Sequence, residues 1–393
     1  MLKEEKMREI KFISIISLLL TIILSSNVFA ELGKIEYFNG LDPQLHVNKI
    51  YSTERKKELQ ENVIDYGDID DMIHLYNPEI LNNWNSWNNN KSAQDVYDAY
   101  QDAADILYNS ASSQDSDMQV GMMEAQGRAM QIQADKNASD SYTDFLTNYL
   151  SEMKLTLSTK VLDINYQKSV FELLNADEAI NEAKRQMEKA ENALKYGSGT
   201  QVDLLTAKKA VTDSQSARML AESSQKTYLR KLILNCGKNS VNDIYVSPVD
   251  LNVGIDISSI KLNEDYQKAL ANNIQYEIYR RKIENARTDE VQNEFKILLE
   301  AAPQKIYNDL ETKYRNILDA VDTNYNREIA LNLAKDNLSK ANNEYEHGSI
   351  SKKELLTSEY NLAVANNNLQ VAKYDLKIAV ETYKYAVMGF ADC

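Results

Sequence analysis

Proline and glycine are scarce in this chain, four and eleven among 393 residues. That excludes collagen-like and Pro/Gly-rich disordered classes and suits long uninterrupted helices. Cysteine is scarcer still: Cys236 and Cys393 cannot form a disulfide framework. One bridge between them stays open, since each follows a predicted helix end. The three histidines, His46, His74 and His347, stand far apart in sequence, beside no paired carboxylate or cysteine motif. No C-x-x-C, H-E-x-x-H, P-loop or G-x-S-x-G pattern occurs, so no catalytic, cofactor or metal residue is assigned and an enzyme is not expected. Cofactors are not expected either. Positive charge is also in deficit: the formal net charge is −15, which argues against nucleic acid and anionic lipid as partners.

Long apolar runs are missing beyond the N-terminus. Residues 12–24, "FISIISLLLTIIL", follow Lys6, Arg8 and Lys11. This run falls short of the ~20 residues that span a bilayer core. Val28 and Ala30 supply small residues for cleavage, so 1–30 reads as a signal peptide cut after Ala30, with an uncleaved anchor as the rival. Glu31, rather than a cysteine, follows the junction and argues against a lipoprotein. The mature chain is expected to be exported.

What the chain has is helical periodicity. Leu355, Leu362, Leu369, Leu376 and Tyr383 recur every seven residues, and Ser358, Ala365, Ala372, Ala379 and Ala386 form a second column offset by three. Leu310, Ile317, Leu331, Leu338 and Tyr345 repeat the device beside Ala320, Ala334 and Ala341. The stretch "HGSISKKELLTS" between them predicts a turn joining two helices of about 40 residues, each on the order of 60 Å long. His347 and Gly348 stop the first, and Ser349 or Ser351 caps the second.

The turn has a twin. "GSGTQVDLLTA" (197–207) aligns without gaps on "GSISKKELLTS" (348–358), pairing Gly197 with Gly348, Asp203 with Glu354, and Leu204 and Leu205 with Leu355 and Leu356. "DIDDMIHLYNPEI" (68–80) is echoed by "EDYQKALANNIQY" (264–276), with Asn77 opposite Asn273. The chain is a duplication. It divides into a polar arm (31–66), extended or partly ordered, a first helical repeat (67–245), a linker (246–260) and a second helical repeat (261–390). Within the linker Val249, Leu251, Val253, Ile255 and Ile257 alternate, which predicts one short strand. The first repeat is longer, and its surplus falls in the Asn- and Ser-rich stretch 83–145.

A duplicated, exported, nearly all-helical chain with G-x-x-x-x-x-[DE]-L-L at each tip resembles the TolC-like outer-membrane efflux protein family. "NPEI" opening the first half, "ALANNIQYEIYRRKIENA" opening the second and both tip motifs carry the resemblance, over roughly 67–390. It implies a mainly α protomer of duplicated long antiparallel helical hairpins, three of which assemble an α-helical barrel continued by a membrane β-barrel. It implies tips that dock a periplasmic adaptor (a membrane fusion protein) of an inner-membrane pump in an efflux or type I secretion system. One departure stands out. Each half of such a protein carries a β-hairpin between its first two long helices. Here 296–311 holds a predicted Pro turn without alternation, and 153–161 fits helix better than strand, so a barrel-less relative is expected.

At the tips, Gly197 and Gly348 have a backbone reason to exist as helix stops. Asp203 and Glu354 read either as first-turn acids complementing a helix N-terminus or, by the resemblance, as a ring at the channel constriction. Leu204, Leu205, Leu355 and Leu356 read as hairpin packing before adaptor contacts. The function expected is a passive exit duct without chemistry. The alternative is a secreted, pore-less coiled-coil structural or adaptor protein of the cell envelope.

Overall fold

The leucine and alanine columns fold as long helices in a computed structural model that describes residues 41–89, 93–114, 116–238, 244–252 and 257–393. The expected signal peptide lies outside the described residues. The described part of the arm is more ordered than its composition suggests. It holds α1 (Pro43–Val47), α2 (Thr53–Gln60) and strand β1 (Val63–Ile64). Both helices are capped: Gln44 N donates to Asp42 Oδ1 at 2.8 Å, and Arg55 N to Ser52 Oγ at 3.1 Å.

The first repeat continues as α3 (Ile69–Tyr76), α4 (Pro78–Asn88), α5 (Ala93–Ala111), α6 (Asp117–Lys136), α7 (Ser141–Lys195) and α8 (Gln201–Asn235). After strand β2 (Tyr245–Val246) the second consists of α9 (Leu262–Ala271), α10 (Ile274–Asn285), α11 (Asp289–Glu346) and α12 (Lys352–Tyr385). The fold is mainly α, and α3, α4, α7 and α8 correspond to α9 through α12. The surplus stretch is the helical pair α5–α6, which packs on itself between α4 and α7. The matching place in the second repeat is a short turn at 286–288.

The ascending helices exceed the expected length: α7 has 55 residues and α11 has 58, roughly 80–90 Å at 1.5 Å per residue. Both segments weighed as missing hairpins lie inside them. Residues 153–161 belong to α7, and the predicted turn at Pro303 is absent because α11 runs straight through it. An interior proline costs about 3 kcal/mol. Ala302, Ile306 and Leu310 beside it are fully buried, and burying the two large side chains offsets that cost at about 1.5–3 kcal/mol each.

The four long helices form one wall in the order α8, α7, α12, α11, neighbours running antiparallel. The hairpins α7–α8 and α11–α12 meet along α7 and α12. That seam is pinned along its length: Lys168 Nζ donates to Asp375 at 3.0 Å, Asn175 Nδ2 to Asn368 at 2.9 Å, and Lys353 Nζ to the Arg185 carbonyl at 2.9 Å. Asp42–Cys393 is one compact unit.

The linker departs from expectation. Its strand is β2, which pairs in parallel with β1 through Val63 with Tyr245 and Ile64 with Val246. Residues 247–252 form no strand, 253–256 lie outside the described residues, and Ile257–Ser259 is a 3₁₀ turn. The alternation there reflects one-sided burial. Val249 and Leu251 pack on Ile164 and Tyr374. Side chains of the neighbouring helices take carbonyls here, Gln167 Nε2 donating to Ser247 O at 2.9 Å and Lys377 Nζ to Asn252 O at 3.2 Å. The two cysteines are free. Burial, and then the nearby Asp163, push the Cys236 thiol up to about 12.

Candidate functional site

Each tip is built by two local devices. The stop is a left-handed glycine: Gly197 has φ 75° and Gly348 φ 68°. Around them the backbone closes the same reciprocal pair of bonds, Ser198 N to Ala193 O at 2.8 Å and Gly197 N to Leu194 O at 3.1 Å, then Ser349 N to Glu344 O at 2.7 Å and Gly348 N to Tyr345 O at 2.9 Å. The restart is a capping box. Asp203 N donates to Thr200 Oγ1 at 3.1 Å while Asp203 Oδ2 accepts from Thr200 N at 2.9 Å. Ser351 and Glu354 repeat it at 3.3 and 2.7 Å, so Ser351 rather than Ser349 is the cap.

Both acids are therefore engaged in capping, and both are exposed. Hydrogen bonds from the Thr200 side chain and backbone hold the Asp203 carboxyl below its ordinary value. The Ser351 backbone and hydroxyl do the same for Glu354. The paired leucines divide. Leu204 and Leu355 are buried within their hairpins, Leu356 is half-buried, and Leu205 is exposed. Because Lys353 reaches Arg185, the two tips stand at the same end of the wall.

The wall leaves both flanking helices open along one side. On α8 the open stripe carries Val202, Leu205, Met219, Leu220 and Leu234. Between them sit Thr212, Ser216 and Thr227, whose hydroxyls donate to their own helix at Lys208 O, Thr212 O and Ser223 O. Their polarity is spent internally, and they present small methyl and methylene surface. On α11, 3.6 residues per turn brings exposed Leu318, Tyr325, Ile329 and Leu333 to one side.

The opposite end holds two equivalent joints. Asn77 caps α4 through Glu79 N at 3.0 Å and donates its Nδ2 to Asn235 O at 2.9 Å. Asn273 caps α10 through Tyr276 N at 2.9 Å and donates to Ala391 O, also at 2.9 Å. One asparagine thus ties the start of each repeat to its end. The inserted pair α5–α6 is tied here too, since Asp135 accepts from Arg287 N and Thr288 N at 2.7 Å each.

This end also corrects the reading of the histidines. His46 on α1 and His74 on α3 converge on Glu152 of α7, with His46 Nε2 3.2 Å from Oε2 and His74 Nδ1 2.9 Å from Oε1. Trp84 Nε1 donates to the same Oε2 at 2.7 Å. Burial opposes ionisation of Glu152, but hydrogen bonds from His46 and His74 win and hold its carboxyl at about 2. No spacing signal links positions 46, 74 and 152, since three separate elements bring them together.

Among the described residues no helix is long and apolar enough to cross a membrane. No family model matches the sequence, and no curated protein matches it. Several solved structures are similar to the chain. CusC is 12% identical with a TM-score of 0.48, over 66% of this chain and 74% of that one. The CmeC outer membrane channel of Campylobacter jejuni is 14% identical with a TM-score of 0.40, over 91% and 94%. The outer-membrane channel OprN is 10% identical with a TM-score of 0.44, over 91% and 97%.

Proposed function

We propose that this chain is the subunit of an exported helical duct, a homotrimer of TolC-like type that receives substrates from an inner-membrane pump through a periplasmic adaptor. The observation that carries the reading is the wall itself. Its four helices alternate in direction, its two flanks are open and carry exposed apolar residues at helical spacing, and its two tips stand at one end. Setting α11 of one copy beside α8 of the next continues the up-down alternation and covers both apolar stripes. The contact joins unlike surfaces, so repetition either closes a ring or grows a filament. The number three comes from the sequence resemblance.

In this reading the tips dock the adaptor. Leu204 and Leu355 brace each hairpin, Leu205 and Leu356 are offered outward, and Asp203 and Glu354 set acidic charge around the narrow end. The duct acts by enclosing a water-filled path and carries out no chemistry. Envelope localisation follows from the expected signal peptide. A specific observation favours the second reading, a scaffold without a pore: residues 153–161 and 296–311, where the resemblance implies membrane hairpins, lie inside the unbroken helices α7 and α11. Light scattering on the purified chain tests the assembly. A mass three times that of the chain is expected, and a strictly monomeric chain at every concentration overturns the duct.

A further inference from the structure

The cluster at the foot of α7 plays no part in the duct and has a chemistry of its own. We propose that His46, His74 and Glu152 form a site for one divalent transition-metal ion of zinc's class, which ties the N-terminal arm to the base of the first repeat. Their donor atoms all lie within 4.8 Å of one another. An ion with bonds of about 2.0–2.2 Å in tetrahedral geometry sets its ligand atoms roughly 3.3–3.5 Å apart. His74 Nδ1, 2.9 Å from Oε1, needs to open by only roughly a few tenths of an ångström. His46, which now faces Oε2 at 3.2 Å, turns toward Oε1, so that a set spread over 4.8 Å closes by about 1 Å around the ion.

The surroundings suit a metal better than a simple ion pair does. Glu152 is 4% exposed and His74 8%, and no lysine or arginine among the described residues is paired with the carboxylate. The Trp84 indole N–H holds one carboxylate oxygen at 2.7 Å. Such an outer hydrogen bond fixes a ligand's orientation and leaves the other oxygen free to bind. Trp84, Phe145 and Tyr149 pack edge-on to the His46 ring, within 4.9–6.0 Å between centroids. They make a water-poor wall in which an uncompensated charge is costly.

Two imidazole nitrogens and one carboxylate oxygen define the ion class. Calcium and magnesium demand oxygen-rich shells, whereas this donor set matches zinc, cobalt, nickel or copper(II). Three protein ligands leave one position for water. The His46 side chain, 21% exposed, stands at the rim and offers the route of entry. Because His46 belongs to a five-residue helix, too short to be stable alone, a bond through its ring is an effective anchor for the arm.

The test uses the untagged full chain, stripped with a chelator and titrated with zinc chloride and, separately, cobalt chloride. One equivalent of zinc is expected to bind at micromolar or lower concentration and to raise the unfolding temperature. Cobalt is expected to give visible d–d absorption stronger than that of the hexaaqua ion. His46→Gln alters the least buried ligand and is expected to weaken zinc binding at least tenfold. Calcium at millimolar concentration is not expected to compete. Absence of binding at 100-fold excess zinc, or binding undiminished in both His46→Gln and Glu152→Gln, overturns the site. A cobalt spectrum that stays that of the hexaaqua ion does so without any variant.

Discussion

Asp163 shows how a single buried group can set the pH response. It is 0% exposed on α7, and its Oδ2 has no hydrogen-bond partner among the described residues. Burial pushes its carboxyl up to about 7, against a weak contact from Gln167 and with help from the charge of Asp65. The native state therefore keeps a proton that the unfolded chain releases near the ordinary carboxylate value. Its contribution is fully present below about pH 4, declines as pH rises through 7 and is flat above that. Asp163→Asn keeps the shape without the ionisation. It is expected to stabilise the chain by about 2–4 kcal/mol at pH 8 and to change little at pH 4. Urea unfolding at the two pH values checks this, and an equal gain at both would refute the assignment.

At the scale of the element, helix ends that look alike in sequence differ in what surrounds them. Gly348 has φ 68°, and a Cβ added there would meet nothing within 4 Å, whereas at Gly237, with φ 66°, a Cβ would fall 2.2 Å from Tyr76 O. Gly348→Ala is expected to cost about 1 kcal/mol, the left-handed penalty alone. Gly237→Ala adds a clash with backbone and is expected to cost roughly 3 kcal/mol or more. Equal losses in denaturant titrations would show that the close approach at the base joint is relieved cheaply. The tips are legible in the sequence because stop, cap and first-turn acid lie within ten residues and occur twice. The pairing of Asn77 with Asn273 is visible as repetition, but their bonds to Asn235 and Ala391 span the full length of each repeat. Pro303 misleads because local propensity says nothing of the buried stripe carrying α11 past it. The linker misleads because one-sided burial against helices imitates the alternation of a strand. His46, His74 and Glu152 are invisible in the sequence, since only tertiary structure gathers them.

For the whole molecule, the two flanks make a directional prediction. Leu220 on α8 is 70% exposed and Leu333 on α11 is 59% exposed. A charge at either is expected to alter the stability of an isolated chain by no more than about 0.5 kcal/mol. In an assembly that sets α8 against α11, the same charge is buried without a partner, at a cost of several kcal/mol per contact. Leu220→Glu and Leu333→Glu are each expected to be monomeric by light scattering, with the circular dichroism of the parent chain. Their mixture discriminates further. The first variant keeps a sound α11 flank and the second a sound α8 flank, so one copy of each can join once, and the complex then ends in two spoiled flanks. An equimolar mixture is expected to give a heterodimer that grows no further. If α8 instead met α8, Leu333→Glu alone would dimerise and the mixture would add nothing. That result would replace a ring built from unlike flanks with a two-fold contact between like ones.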